Sequence, residues 1–489
     1  MSQRALTLWT FVVTSVAVFM VSLDNLVVTT ALPVIKADLG AGLSGLEWTV
    51  NAYTLTFAVL LLTGAALGDR FGRKRMFLVG LALFTAGSAA AAHAPSIEWL
   101  IAARALQGVG GAIVTPLTLT ILSGAVSPKR RGMALGIWGG VSGLAVALGP
   151  VVGGAIVEGL SWQWIFWLNV PIGLVLLPIA WSRLSESKGP NRSLDLPGLG
   201  LASAGLLGVV WGLVRGNEYG WTSTGVLAPI IAGVVLLGAF VLWERGAREP
   251  MVPLRFFRSR AFSAANVVSL LMSFGVFGAI FLLAQFFQVV QGYSPLDAGL
   301  RTLPWTAMPI VVAPIAGVLS DRIGARPLLV AGMALMAAGL AWIAVVASPT
   351  MPYLQMVPAL VISGIGMSLY FAPVANLVLS TVRRPEEGKA SGVNNTIREV
   401  GGVFGVAVLA SVFSAAGSYL SPQAFVDGMV PALWVGAAAV AAAGVAAVLI
   451  PPRQDVVPDS VSLLERPERF ERGERLSDGA AVCEPEAAA

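Results

Sequence analysis

Two carboxylates, Asp24 and Glu399, stand well inside long apolar runs of this sequence, and Arg104 and Arg398 lie in apolar runs as well. At the centre of a bilayer a charged residue costs about 2.5–3.5 kcal/mol on insertion scales, so such groups persist where they are paired or used. Asp24 lies about seven residues, ~10 Å, from the outer end of its run, and Arg104 about six residues from the outer end of another. Matching depths let the two pair across a central cavity. A carboxylate that loses its cation partner can take a proton instead, which is the chemistry a proton-driven switch needs. The alternative is a fixed structural ion pair. In Asn394, Asn395, Arg398 and Glu399 a second polar cluster appears. Helical register pairs Arg398 with Asn394 and Glu399 with Asn395, because i and i+1 neighbours face apart. Glu399 then either takes a second proton or cation, or braces an inner gate. Asn51, Tyr53, Gln107, Phe281, Gln285, Gln288, Tyr370 and Asn376, together with Asn394 and Asn395, suit a mostly apolar pocket with a few polar groups.

These residues are carried by a chain of 489 residues that is 56% hydrophobic and only 12% charged. Soluble proteins carry about 25% charged residues, so an all-α polytopic membrane protein is the class that fits. Apolar runs of about 20 residues predict fourteen spans, at 8–31, 48–67, 76–93, 98–122, 133–156, 164–184, 198–215, 225–243, 261–290, 299–319, 328–347, 354–380, 391–416 and 429–450. All 31 Lys and Arg fall in alternate loops or at the termini, except Lys36, Arg104, Arg215, Arg301 and Arg398. Cations concentrate on the cytoplasmic face, so both termini are predicted there. A pI of 9.6 follows from that asymmetry, and nucleic acid is not an expected partner. One cysteine, Cys483, and one histidine, His93, leave no basis for a disulfide framework or a metal site.

The first short basic loop reads Leu67-Gly68-Asp69-Arg70-Phe71-Gly72-Arg73-Lys74-Arg75. Its glycines permit close approach and positive φ in a tight turn, and Asp69 can accept hydrogen bonds from an arginine or a nearby helix start. A loop that merely needed cations would tolerate any order. Yet Gly317, Leu319, Asp321, Arg322, Gly324 and Arg326 repeat the pattern, with Asp321 placed 252 residues after Asp69. Gly132-x-Ala134-x-Gly136 and Gly388-x-Ala390-x-Gly392 repeat with an offset of 256. The chain is therefore read as two parallel six-helix halves, 1–184 and 261–450, separated by two inserted helices and linkers at 185–260 and followed by a polar tail at 451–489.

The repeated loop resembles the signature between helices 2 and 3 of the major facilitator superfamily, although Ala65 replaces the glycine expected four residues before Asp69. Leu23-Asp24 through Ala31-Leu32-Pro33 is similar to a helix-1 motif of drug/proton antiporters, and Arg104 to Gly110 to their helix-4 motif. Gly149, Pro150, Gly153 and Gly154 resemble the antiporter motif of helix 5, and Trp164 to Gly173 matches the fourteen-helix branch. This resemblance covers all fourteen spans but not the tail. It implies the major facilitator fold and proton-coupled efflux of amphipathic organic compounds across the cytoplasmic membrane of a bacterium, by alternating access and without a cofactor. Protons, lipophilic small molecules and membrane lipid are the expected partners. It further implies proton-coupling roles for Asp24, Arg104 and Glu399. A conformational latch would be built from Asp69, Arg70, Gly72, Arg73, Lys74, Asp321 and Arg322, with Asp69 capping helix 13 in the outward-open state. A dedicated exporter of one natural product or lipid is the nearest alternative, and a sensor without transport is a rival of another class. An enzyme is not expected, since no catalytic constellation occurs; nor is an ATP-driven pump, since there is no phosphate-binding loop.

Overall fold

The computed structural model describes residues 3–126, 141, 144–145, 148–188, 195–248, 250–382 and 386–451. The protein is all-helical among these residues. Its first helices are α1 (Gln3–Leu39), α2 (Leu43–Phe71), α3 (Arg73–Ala92) and α4 (Ile97–Ala125), followed by α5 (Leu148–Gly159) and α6 (Trp164–Arg183). Next come α7 (Leu196–Tyr219) and α8 (Thr224–Gly246). α9 (Arg260–Gln285) continues into a π turn at Phe286–Val290, and α10 runs as Pro295–Thr306 and then Met308–Ile323. α11 (Ala325–Val346), α12 (Tyr353–Ser380), α13 (Glu387–Ala416) and α14 (Pro422–Val448) complete the described chain. Among the described residues thirteen helices are long and apolar enough to cross a membrane, and α5 is shorter. Gly132, Ala134, Gly136 and most of the fifth predicted span before residue 148 lie outside the described residues, as does the tail beyond residue 451.

Local chemistry sets the helix ends. Ser96, Ser259, Ser294 and Ser421 each precede a helix and accept a backbone N–H from its first turn. Gly72 and Gly324 break the chain between α2 and α3 and between α10 and α11 with φ of +110° and +84°, a region that glycine enters without strain. Both repeated loops thus make the same turn. Gly68 works differently from its turn neighbour. It lies inside α2, where a side chain would run into Leu117 of α4.

α1 to α4 pack with α6 into one bundle, and α9 to α14 into a second. The bundles meet where α2 lies along α13 and where α1 reaches α9 and α10. α7 and α8 pack on each other, and α7 also lies against both α2 and α13. There Trp48, Leu55 and Val59 of α2, Leu206 and Val210 of α7, and Val403 and Ala407 of α13 form one apolar cluster.

Two sequence expectations need correction. α1 runs eight residues past the predicted end at residue 31, with Pro33 inside it. The helices around the second and eighth predicted spans also extend further, so Glu47 and Glu244 are helical residues, each only 3% exposed. Asp24 and Glu399 are therefore not the only acids buried inside helices.

Candidate functional site

Asp24 and Arg104 meet in the first bundle. Arg104 Nη1 lies 2.5 Å from Asp24 Oδ2, and both residues are almost wholly buried. The other carboxylate oxygen accepts Asn169 Nδ2 of α6 at 2.7 Å and Gln107 Nε2 of α4 at 3.1 Å. Gln107 also donates to Ser88 of α3 at 2.7 Å, and its carbonyl accepts Arg104 Nη1 at 3.0 Å. Arg104 Nε donates to the Thr49 carbonyl at 3.2 Å, and its guanidinium lies 4.3 Å from the Tyr53 ring centroid. Five helices thus hold one charge pair whose desolvation is offset by fixed donors and an aromatic face.

A cavity of about 1420 Å³ lies between the bundles. Its lining runs from Thr30 and Gln288 at one end to Asp69, Arg73 and Lys389 at the other, and Met272, Phe277, Trp305, Met367 and Phe371 make much of its apolar wall. Neither Asp24 nor Arg104 lines it. Their pairing lies within one bundle rather than across the cavity, and Tyr53, which does line the cavity, covers Arg104 from that side. Glu399 and Arg398 are in the wall. They pair with each other at 2.9 Å rather than with Asn395 and Asn394, because the long arginine side chain curls back to its neighbour. Asn394 instead donates to Ser269 at 2.8 Å and to Asn266 at 3.2 Å, and the Tyr370 hydroxyl donates to Ser269 at 2.7 Å.

Of the ten cavity candidates, Tyr53, Gln288, Asn376 and Asn395 line the large cavity. Tyr370 and Asn394 line a separate small one of about 130 Å³. Asn51, Gln107, Phe281 and Gln285 are each at most 1% exposed and pack between helices. The sequence reading missed Met272, Phe277 and Trp305 because apolar side chains facing a cavity have the same composition as those facing lipid.

The end bearing Thr30 is closed by contacts between the bundles. Gln288 Nε2 donates to the Thr30 carbonyl at 2.7 Å, and the Leu296 amide donates to Glu158 at 3.2 Å. Lys36 Nζ lies 3.1 Å from the Tyr419 ring centroid, and the Tyr419 hydroxyl donates to Gln285. Burial pushes the Tyr419 hydroxyl up, reinforced by the Glu47 charge, so it stays a donor. The glycine motif of α5 sits here. A side chain at Gly149 or Gly153 would strike Leu26 or Val27 of α1, and one at Gly154 would strike the backbone of Pro295 and Leu296. Gly299 of α10 faces Pro150 and Val151 equally closely.

At the other end Asp69 holds Arg73 at 2.9 Å and, among the described residues, hydrogen-bonds no helix-13 amide. The amides of Lys74 and Arg75 that open α3 are taken by Glu186, at 3.0 and 3.2 Å. Glu186 lies just after α6, and its carboxylate carbon would be 2.8 Å from a side chain at Gly72. No local signal in the sequence connects it to the turn. Arg70 lies against Phe71, Lys74 over Trp181, and Arg322 is exposed. The Asp321 side chain and Arg130 lie outside the described residues.

Comparison with known proteins places this geometry. A tetracenomycin C resistance and export protein of Streptomyces glaucescens is 34% identical over 424 residues, 86% of this chain and 79% of that one. A cephamycin export protein of Amycolatopsis lactamdurans is 40% identical over 405 residues, 81% and 82% of the two chains. Among solved structures, a peptide transporter bound to sulfate has a TM-score of 0.68 at 17% identity, covering 93% of this chain and 98% of its own, a likeness of fold. The family profile described as Major Facilitator Superfamily matches residues 14–406. With its helices, central cavity and repeated turns, this multi-pass membrane protein belongs to the Major Facilitator Superfamily and is a transporter rather than an enzyme.

Proposed function

We propose that the protein exports amphipathic organic compounds in exchange for protons, by alternating access across a bacterial cytoplasmic membrane. The observation that carries this reading is a large apolar cavity with the Glu399 carboxylate in its wall and another, Asp24, buried behind Tyr53. An apolar wall with few polar groups suits varied lipophilic cargo, and an acid in contact with the cargo path can exchange a proton for it. In the proposed orientation both termini and the Asp69 end face the cytoplasm, so the described state is closed outward and its cavity reaches the inner surface. The names of the relatives, which export tetracenomycin C and cephamycin, support outward transport and also favour a narrower reading, in which one natural product is the cargo.

Accumulation of a lipophilic fluorescent cation in cells, measured with and without a proton uncoupler, tests the proposal. Expression should lower accumulation, and the uncoupler should abolish the difference. Export that survives the uncoupler would refute proton coupling. A panel of unrelated dyes separates broad from dedicated export. Because Glu399 is held by Arg398, monocations and neutral compounds should be handled better than rigid dications.

A further inference from the structure

The small cavity between α12 and α13 has a lining that proton exchange leaves unexplained. It holds about 130 Å³ and shares Phe371, Ala375, Ser391, Asn395 and Arg398 with the large cavity, so it forms a side pocket of that space. Ser391, Asn395 and Arg398 follow one another at i, i+4 and i+7 and stand on one face of α13. Asn394 and the Tyr370 hydroxyl, which also line the pocket, are already engaged with Ser269 of α9. The Asn395 amide and the Ser391 hydroxyl, by contrast, hydrogen-bond nothing among the described residues. None of the ten residues lining the pocket is acidic, and one of them is a cation.

That cation, Arg398, has donors to spare. Its side chain is 28% exposed, and Nη2 alone is taken, by Glu399 Oε1 at 2.9 Å. A single bond to one nitrogen leaves the planar guanidinium with a free edge of parallel N–H donors. Glu399 does not line the side pocket, so it steadies Arg398 from outside it. The other acids in the wall of the large cavity are committed elsewhere: Asp69 holds Arg73, and Asp195 takes the Gly198 amide and the Trp243 indole. Lys389, two residues before Ser391, lines the large cavity and forms no ion pair among the described residues.

We propose that the side pocket is a carboxylate subsite, and that the cargo includes amphipathic organic acids. This rests on reading the large cavity as the cargo path. The acid head group lies on the free edge of Arg398, and the apolar body lies against Met272, Phe277 and Phe371. A carboxylate is the anion this geometry selects, because it is planar and presents its oxygens at the spacing of a guanidinium edge. Taking an anion out of water is costly unless its remaining lone pairs also find donors. Asn395 and Ser391 supply them from the same helix face. At about 130 Å³ against about 1420 Å³, the side pocket suits a head group and leaves a ring system to the larger space.

Equilibrium dialysis of pyrenebutanoate and of pyrenebutanamide against the purified full-length protein in nanodiscs, with empty nanodiscs subtracted, reads the subsite. The two compounds share one skeleton and differ in charge. The parent should bind the carboxylate at least about ten-fold tighter than the amide, as charge-assisted hydrogen bonds imply. Arg398→Gln should bring the two affinities together. Asn395→Asp keeps the Arg398–Glu399 pair, sets an acid beside the free edge, and should do the same if Arg398→Gln does not fold. Equal affinities in the parent, or a preference that survives in a folded variant still binding the amide, overturns the subsite. If neither compound binds the parent, the cargo-path reading fails and the subsite falls with it.

Discussion

Gly154→Ala adds one methyl group at the tightest point between α5 and α10. That methyl would stand 2.6 Å from Leu296 Cα and 2.7 Å from the Pro295 carbonyl carbon. Carbon atoms rest about 3.5–4.0 Å apart, so the helices must separate by about 1 Å. The seam has no slack to give, because Gly299 is pressed against Pro150 and Val151 in the same way. Overpacking of this kind costs about 1–3 kcal/mol. The cost falls on the state closed at the Thr30 end and is relieved when the seam opens. A bias of that size shifts a two-state equilibrium by about 5- to 150-fold. In cells carrying Cys483→Ser and Thr30→Cys, a membrane-impermeant maleimide applied from outside should label Gly154→Ala at least about five-fold faster. Gly159→Ala on the same helix has nothing within 4 Å of the added methyl and should leave labelling unchanged. If a folded Gly154→Ala is labelled no faster than the parent, the seam does not control closure and the reasoning fails.

Arg104→Ala strips Asp24 of its cation while the carboxylate stays buried, and should cost about 3–5 kcal/mol; a thermal midpoint in detergent equal to that of the parent would contradict the ion-pair reading. Asp24→Asn should abolish efflux driven by a pH gradient in proteoliposomes, and full retention of that efflux would remove Asp24 from the coupling path. Tyr53→Ala opens the Arg104 pair to the cavity, so an imposed pH gradient should decay several-fold faster, whereas Tyr53→Phe should hold it; equal decay in both variants tells against the aromatic partition. Asp69→Asn removes a cap worth about 1 kcal/mol from the state closed at the inner end, and should reduce cross-linking between cysteines at the inner ends of α2 and α13. Cross-linking that is independent of Asp69 would rule out the latch.

Depth in the membrane was legible in the sequence, and direction around each helix was not. Counting residues from span ends put Asp24 and Arg104 at one level, and the structure brings them together. Only the neighbours Asn169, Gln107 and Ser88 reveal that the pair points into its own bundle. Gln285 and Phe281 failed as cavity residues for the same reason, since a helix buried on all sides gives polar residues no preferred face to read. The turn glycines were legible because a tight turn between two helices favours positive φ there, and the repeat supplied a second copy. Span ends drawn one residue short hid Glu47 and Glu244. Glu186 was beyond reach, because capping α3 from the end of α6 is a contact between residues 112 positions apart.

The placement of α7 against both α2 and α13 makes the molecule unequal in the plane of the bilayer. Phe71 is the only exposed large apolar side chain described on α2, and α13 has none among its described residues, whereas α10 presents Ile310, Val311, Ile315 and Val318 outward. Annular lipid therefore bears on the α10 flank and is kept from the α2–α13 flank by α7. Acyl-chain order and lateral pressure should act on the parting of α5 from α10 and leave the opposite hinge almost untouched. A stiffer bilayer would then slow one half of the working cycle rather than the whole.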